Sequence, residues 1–434
     1  MTLPLISPDL SNLLPKQYES WPSKNGLRVL PNNDQDDLAS RTVQSYTSKR
    51  LWVWSGKRLF FFSDLHADAD AFFLSLIGSG GIVKYGVGDD DFFLTEEGKE
   101  ATFIIGGDCF DKGPHNLRLL DVIGSLIRSG ANVEILAGNH DLRTYLGIYY
   151  AESKATLLDH LFVRMGKKTV PLLKEIHDRY SHDETYHSQS ELAAIHETLF
   201  PKESWYTEFP QIATKWVKPS KLAKEIKRIQ EKIEEFEKRA NEFGMDMVDI
   251  LSAAKKFKQL FFEPDGEYFW FFNRMKLAHQ EGSYLFVHAG VDNEVATILS
   301  KESCKGLNYR FKKMLRRNPF ELYHGILGNV FRTKYRNFDY ELTEIGVKAL
   351  HDNGIYAIVH GHKNILRGQR LNMRSGILNF ECDASVDCNT RIIEGLNRPG
   401  GAVVCFRPDG AVQAVSTDYP YIKVFKPSWL TIAS

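Results

Sequence analysis

Gly107-Asp108-Cys109-Phe110-Asp111-Lys112-Gly113 stands directly behind the apolar run Phe103-Ile104-Ile105. Short β-branched or aromatic runs of this kind read as buried strands, so the acidic, glycine-bounded loop sits at a strand's carboxyl end. Other runs end the same way. Phe60-Phe61-Phe62 leads into Ser63-Asp64-Leu65-His66, and Val133-Glu134-Ile135-Leu136 into Gly138-Asn139-His140-Asp141. Further on, Tyr284-Leu285-Phe286-Val287 leads into His288-Ala289-Gly290, and Tyr356-Ala357-Ile358-Val359 into His360-Gly361-His362. In open α/β architectures, ligand-binding loops gather at the carboxyl ends of strands, so these endings can converge although they are far apart in sequence.

One Asp-x-His at a strand end is more often structural than functional. The series is different, because Asp, His and Asn together are the oxygen and imidazole ligands that suit manganese, iron or zinc. Apart from Cys109 beside Asp108, no cysteine lies where a thiolate site needs one. The residues point to two metal ions.

The order Asp-x-His, Gly-Asp-x-x-Asp-Lys-Gly, Asn-His-Asp, His-Ala-Gly and Gly-His resembles the calcineurin-like metallophosphoesterases, specifically the phosphoprotein phosphatase family. The motifs run from Asp64 to His362, most of the chain. The resemblance implies a four-layer α/β/β/α sandwich. It also implies that Asp64, His66 and Asp108 hold a first divalent ion, while Asp108 bridges to a second completed by Asn139, His288 and His362. Manganese is the favoured metal, with iron and zinc as alternatives. Two such ions share a bridging hydroxide, polarise the phosphoryl oxygens and clamp an in-line displacement. His140 is then the group that protonates the leaving oxygen, and Asp111 the carboxylate that orients it. Asp111 has a second reading, as a cap on the helix expected from about Pro114.

The chain departs from the family pattern in places. Lys112 stands where Arg is usual, and an ammonium neutralises a phosphate without forking onto two of its oxygens. Arg332 is the candidate for the family's other phosphate-binding arginine, with Arg143 as its rival; a solvated or structural role is the alternative for either. His66 is followed by Ala67-Asp68 where Gly is usual. His362 is the better match to the last ligand, which leaves His360 as a neighbouring or substrate-contacting residue.

The chain has 434 residues with 55 basic and 55 acidic side chains. A net charge of zero creates no field that favours nucleic acid or an anionic membrane, so neither is expected as partner. Cys109, Cys304, Cys382, Cys388 and Cys405 form a dispersed, odd set that reads as reduced thiols. The first twenty residues lack a basic segment followed by an apolar core, so no Sec signal or membrane span is expected. The protein reads as cytoplasmic in type. Delivery by a specialised secretion machine would leave the same signature.

Residues 1–50 are polar and rich in Pro, Asn and Asp, and are expected to form an irregular lead-in. The phosphatase domain is assigned to 51–434, interrupted by a helical insertion at about 150–275. Within it, Leu222, Ile226, Ile229, Ile233, Phe236, Ala240 and Phe243 alternate at spacings of four and three, as on an amphipathic helix. Asn241-Glu242-Phe243-Gly244 ends that helix, and Met247 to Phe262 can return, which gives a hairpin over about Pro219 to Phe262. Ser153 to Met165 and Val170 to Tyr180 also favour helix, and His182 to Ser190 reads as a polar loop. The insertion is either a cap that buries its own stripe or a module that docks a protein partner. After His362, Gly376 to Asp383 and Ala402 to Phe406 return to strands; Asp383 is read first as a surface or turn residue, with an acid supporting the metal ligands as the alternative.

The expected activity is hydrolysis of phosphomonoesters on proteins. Lys112, Phe110 and the insertion resemble bacterial members of the family that act on phosphotyrosine, including effectors delivered into a host cell. A phosphoserine/threonine phosphatase, a dinucleotide polyphosphate hydrolase and a phosphodiesterase are alternatives, and an inactive binding scaffold is the competing class.

Overall fold

Leu59–Phe62 and Thr102–Ile105 are buried at every position, the pattern of strands covered on both faces. The computed structural model describes residues 8–22, 33–152, 156–158, 166–180, 189–215, 218–332 and 341–427. Its strands are β1 (Gln17–Ser20), β2 (Leu59–Phe62), β3 (Ile82–Lys84), β4 (Phe92–Leu94), β5 (Thr102–Ile105), β6 (Asn132–Ile135) and β7 (Ala278–Glu281). They continue with β8 (Tyr284–Val287), β9 (Ala357–His360), β10 (Arg370–Arg374), β11 (Ile377–Glu381), β12 (Ala402–Phe406), β13 (Val412–Ser416) and β14 (Tyr421–Phe425).

A seven-stranded sheet has the order β1-β14-β13-β12-β2-β5-β6, and a five-stranded sheet the order β10-β11-β9-β8-β7. β2, β5 and β6 run parallel to one another, as do β8, β9 and β11. The sheets meet across aromatic rings. Phe406 of β12 lies 4.8 Å from Tyr284 and 5.0 Å from Phe286, both of β8, and Phe61 of β2 lies 5.6 Å from Phe286. Trp52 closes one end of this seam, 5.7 Å from Tyr284, 6.4 Å from Phe425 and stacked on Trp54. The Ala69–Ser79 helix packs on the seven-stranded sheet, with Phe72 edge-on to Phe62, and the Asn293–Arg317 helix lies against β7. The result is a mixed α/β fold built on two packed sheets.

The expectation of an irregular lead-in is corrected. β1 pairs in parallel with β14, and Asn33–Ser48 is a helix. Tertiary contacts override its polar composition: Val43, Tyr46 and Thr47 are buried, and the Tyr46 hydroxyl donates to the Tyr356 carbonyl at 2.7 Å.

Between the third and fourth motifs the chain is helical, over Val170–Tyr180, Gln189–Leu199, Trp205–Ala213, Pro219–Glu242, Met247–Phe262 and Phe269–Arg274. Most of 153–165 and 182–190 lies outside the described residues. Gly244, at φ +69°, turns the chain after Pro219–Glu242, and Asp246 with Asp249 caps the start of the next helix. The Met247–Phe262 helix packs chiefly on Val170–Tyr180 rather than on its hairpin neighbour. Leu222, Ile229, Phe236 and Ala240 are buried. The apolar stripe is thus used within the molecule. Among the described residues, no helix is long and apolar enough to cross a membrane.

Candidate active site and metal centre

The carboxyl ends of β2, β5, β6, β8 and β9 converge, and the loops behind them pay for it in backbone strain. Asp64, His66, Ala67, Asp108, Asp111, Lys112 and His362 all have φ between +44° and +69°, the left-handed region that side chains disfavour. Glycine fills the tightest gaps. A Cβ at Gly361 would overlap Ser63 Oγ and Asp64 Oδ2, so only glycine lets the His362 loop reach Asp64.

Asp108 is the centre of the cluster. His288 Nε2 lies 3.5 Å from Asp108 Oδ2, His140 Nε2 3.8 Å and His66 Nε2 4.0 Å. His66 Nε2 is also 3.9 Å from Asp64 Oδ1. Asp64 Oδ2 accepts from the His362 amide at 2.9 Å and from the Ser63 hydroxyl. His288 Nε2 lies 3.3 Å from both Asn139 Oδ1 and His362 Nδ1. All six ligand candidates, Asp64, His66, Asp108, Asn139, His288 and His362, are thereby brought together.

The imidazoles are oriented as metal ligands need. His66 Nδ1 faces the Phe110 carbonyl at 3.1 Å and His288 Nδ1 the Gly106 carbonyl at 2.8 Å, which turns both Nε2 atoms toward Asp108. Burial, with the charges of Lys112 and His140, holds His66 well below the usual histidine pKa, in its neutral ligating form. Burial also opposes charge on His288, but Asp108 and Asp64 override it and raise its pKa to about 10. Asp108 and Asp64 therefore concentrate negative charge beside His288. A cation suits that place. His66, Asp108 and His140 offer ligand atoms within 4.8 Å of one another, as do Asp108, His288 and His362, so the donor atoms around Asp108 fit a metal ion.

His140 has a second environment. Its Nδ1 lies 2.7 Å from Asp111 Oδ2 and 3.0 Å from Arg143 Nη2. The nitrogen cannot both donate to the carboxylate and accept from the guanidinium, and the shorter, charge-assisted contact with Asp111 decides the tautomer. Burial opposes ionisation of Asp111, but its hydrogen bond and charge interaction with His140, and Arg143, keep its pKa below the carboxylate norm.

Of the phosphate candidates, Lys112 points its ammonium at His66 Nε2, 2.7 Å away, and its carbonyl accepts from Asn389 at 2.6 Å. Arg143 lies 3.3 Å from Asp111 Oδ2, beside the His140 pair. Arg332 stacks over the Tyr323 ring at 4.4 Å and donates to the Gly328 carbonyl. His360 is buried, with Nδ1 3.0 Å from the Gly361 carbonyl and with Glu381 of β11 as its main charged neighbour.

Sequence reasoning missed several residues here. Asp141 accepts from the amides of Asp108, Cys109, Phe110 and Gly138 at 2.8 to 3.3 Å and so fixes the Asp108 loop on the next strand end. Burial and the Asp108 charge raise its pKa to about 7. Asp383 is corrected from surface or turn duty and agrees instead with the alternative reading beside the ligands: it is buried, and desolvation with the Asp64 charge pushes it well above the carboxylate range. Phe110, which carried part of the sequence resemblance, is wholly buried and packs on Phe271 at 5.3 Å and Phe261 at 6.0 Å. Lys168, in the turn before the Val170–Tyr180 helix, shares the electrostatic field of Lys112, Arg143, Asp111 and Asp108; burial and the two cations lower its pKa.

Residues 57–230 match the calcineurin-like phosphoesterase family. The phosphoesterase match takes in Asp64, His66, Asp108, Asn139 and His140, while the fold adds His288 and His362 from beyond it. A cold-active protein tyrosine phosphatase is similar in structure, at 14% identity over 89% of this chain and 84% of that chain, with a TM-score of 0.47. A second structure of a cold-active protein tyrosine phosphatase, from a psychrophilic Shewanella species, gives 14% identity over 88% and 84%, with a TM-score of 0.42. A protein serine/threonine phosphatase from Saccharomyces cerevisiae gives 10% identity over 92% and 90%, with a TM-score of 0.39. A search of curated proteins finds no matching sequence.

Proposed function

We propose that the chain is a metal-dependent phosphoprotein phosphatase that hydrolyses phosphomonoesters, with phosphotyrosine the favoured substrate. The observation that carries this reading is Asp108, a buried carboxylate reached by the ring nitrogens of His66, His140 and His288, beside the His140–Asp111 pair. A pair of divalent ions, when bound, supplies an activated water and a clamp on the phosphoryl oxygens. The side chains do the rest. Asp108 is the proposed bridge, with Asp64 and His66 on one side and Asn139, His288 and His362 on the other. Asp111 holds His140 Nδ1 so that Nε2 delivers a proton to the leaving oxygen as the P–O bond breaks and water's oxygen bonds to phosphorus. Lys112, Arg143 and Lys168 offset phosphate charge, and Arg332, held on Tyr323, is a further candidate.

The preference for phosphotyrosine is proposed on the sequence resemblance carried by Lys112, Phe110 and the inserted helices. Delivery into a host cell is proposed on the sequence resemblance alone, and a translocation reporter fused to the chain tests it.

Metal-reconstituted protein should be assayed side by side on phosphotyrosine, phosphoserine and phosphothreonine peptides, with a dinucleotide polyphosphate and a phosphodiester as controls. Turnover led by phosphotyrosine is expected. Preference for phosphoserine would move the chain to the serine/threonine branch, and no turnover at all would restore the scaffold reading.

A further inference from the structure

The Val170–Tyr180 helix lies in the stretch between the third and fourth motifs, yet it grips the catalytic loop through one carboxylate. Glu175 Oε1 accepts from the backbone amide and from the side-chain Nδ2 of Asn116, both at 2.9 Å, and Oε2 accepts from the Leu117 amide at 2.8 Å. Those amides open the Asn116–Arg128 helix, whose preceding residue, His115, makes no side-chain cap. A helix start has unpaired N–H groups and favours negative charge, so Glu175 supplies from another helix the acceptor missing locally.

The bonds also fix Asn116 itself. With Nδ2 committed to Glu175, its Oδ1 faces the Asp111 amide and accepts from it at 3.0 Å. Asp111 sits at φ +69°, a conformation that needs outside support, and its carboxylate holds His140 at 2.7 Å. The connection is continuous: Glu175, Asn116, Asp111, His140. Phe110, one residue before Asp111, is anchored in Phe257 and Phe261 of the Met247–Phe262 helix, so the intervening helices hold this loop by packing as well.

We infer that Glu175 is a positioning residue for the Asp111–His140 pair, acting through Asn116, and that the helical stretch after the third motif is part of the proton-donating apparatus. The inference rests on the reading of His140 as the proton donor. A cap that only stabilised the Asn116–Arg128 helix would leave the chemistry's demand for a proton untouched. A positioning residue makes its loss depend on the leaving group.

The test uses the full, metal-loaded chain as wild type, Glu175→Ala, Glu175→Gln, His140→Ala and the Glu175→Ala/His140→Ala double variant, on an aryl phosphate and an alkyl phosphate. Glu175→Ala should lower kcat on the alkyl ester by about tenfold, the lower end for losing an outer partner of a site residue, with a smaller loss on the aryl ester and KM unchanged. In the His140→Ala background it should cost nothing more, because residues acting as a unit are non-additive. Glu175→Gln keeps one acceptor oxygen and should recover part of the rate; it also serves if the alanine variant fails to fold. Equal losses on the two esters, or losses that add to those of His140→Ala, overturn the inference. Amide hydrogen exchange gives a reading independent of activity: exchange at Asp111 should accelerate in either Glu175 variant. A wild type inert toward every phosphomonoester defeats the proposed function alone; unchanged exchange at Asp111 defeats the Glu175 inference.

Discussion

His140 donates usefully only if one ring nitrogen is held and the other faces the leaving oxygen, and the 2.7 Å contact with Asp111 does the holding. Phenol, with a pKa near 10, leaves with less proton assistance than an alkyl alcohol. His140→Ala should therefore slow alkyl phosphate hydrolysis by roughly 10² to 10⁴-fold and aryl phosphate hydrolysis by less, with metal content retained; equal losses, or loss of a metal ion, would make His140 a ligand instead. Asp108→Asn should abolish turnover and loosen both ions, as measured by metal content after dialysis. Two retained ions with activity would sink the bridging assignment. At this scale the sequence was most legible where chemistry and local pattern coincide, since each motif that carries ligand candidates follows its own apolar run. Glu175 was hidden because its partners, Asn116 and Leu117, lie far along the chain and no neighbouring residue marks it.

The elements show what local pattern can and cannot reveal. The runs at β2, β5, β6, β8 and β9 were readable because burial on both faces demands unbroken apolar sequence. The Asn33–Ser48 helix was not, because Tyr46 and Val43 bind it to partners that composition conceals. On β10 and β11, Arg370 and Arg374 both pair with Glu381, the latter at 2.6 Å. Burial opposes the Glu381 charge, but His360, Arg370 and Arg374 prevail and hold its pKa below the glutamate norm. A carboxylate depressed on folding contributes stability above its unfolded pKa, about 4.3, and loses it as pH falls through the folded value. Glu381→Gln should cost about 2 to 3 kcal/mol at pH 7, less than a fully buried pair, because Arg370 and Arg374 are 24% and 19% exposed. Denaturant melts should show the gap between variant and wild type closing below about pH 4; a gap independent of pH would assign the loss to packing.

For the molecule as a whole, the helices after the third motif and the two sheets act as one support for the site. Deleting 219–262 removes Phe257 and Phe261 from Phe110, so turnover of a small aryl phosphate should fall together with that of phosphoproteins. Loss of the protein activity alone would mark a docking module. Asp64, Asp108 and Asp383 are all buried in one neighbourhood, so cations that bind only the folded chain should stabilise it by about 2.7 kcal/mol at a hundred times their Kd. Chelation should lower the melting temperature, and added manganese should restore it; melting indifferent to chelation would remove the metal centre from this site.

The sheet seam carries its own reporter. Trp52 and Trp54 stack at 5.8 Å, and Trp52 touches rings on β8 of one sheet and β14 of the other. Coupled indoles in such a stack give a near-ultraviolet dichroic band that vanishes when the sheets part. Followed alongside phosphatase activity during heating, that band separates two events that a single melting curve merges: loosening of the strained loops at one end of the strands, and separation of the layers that carry them.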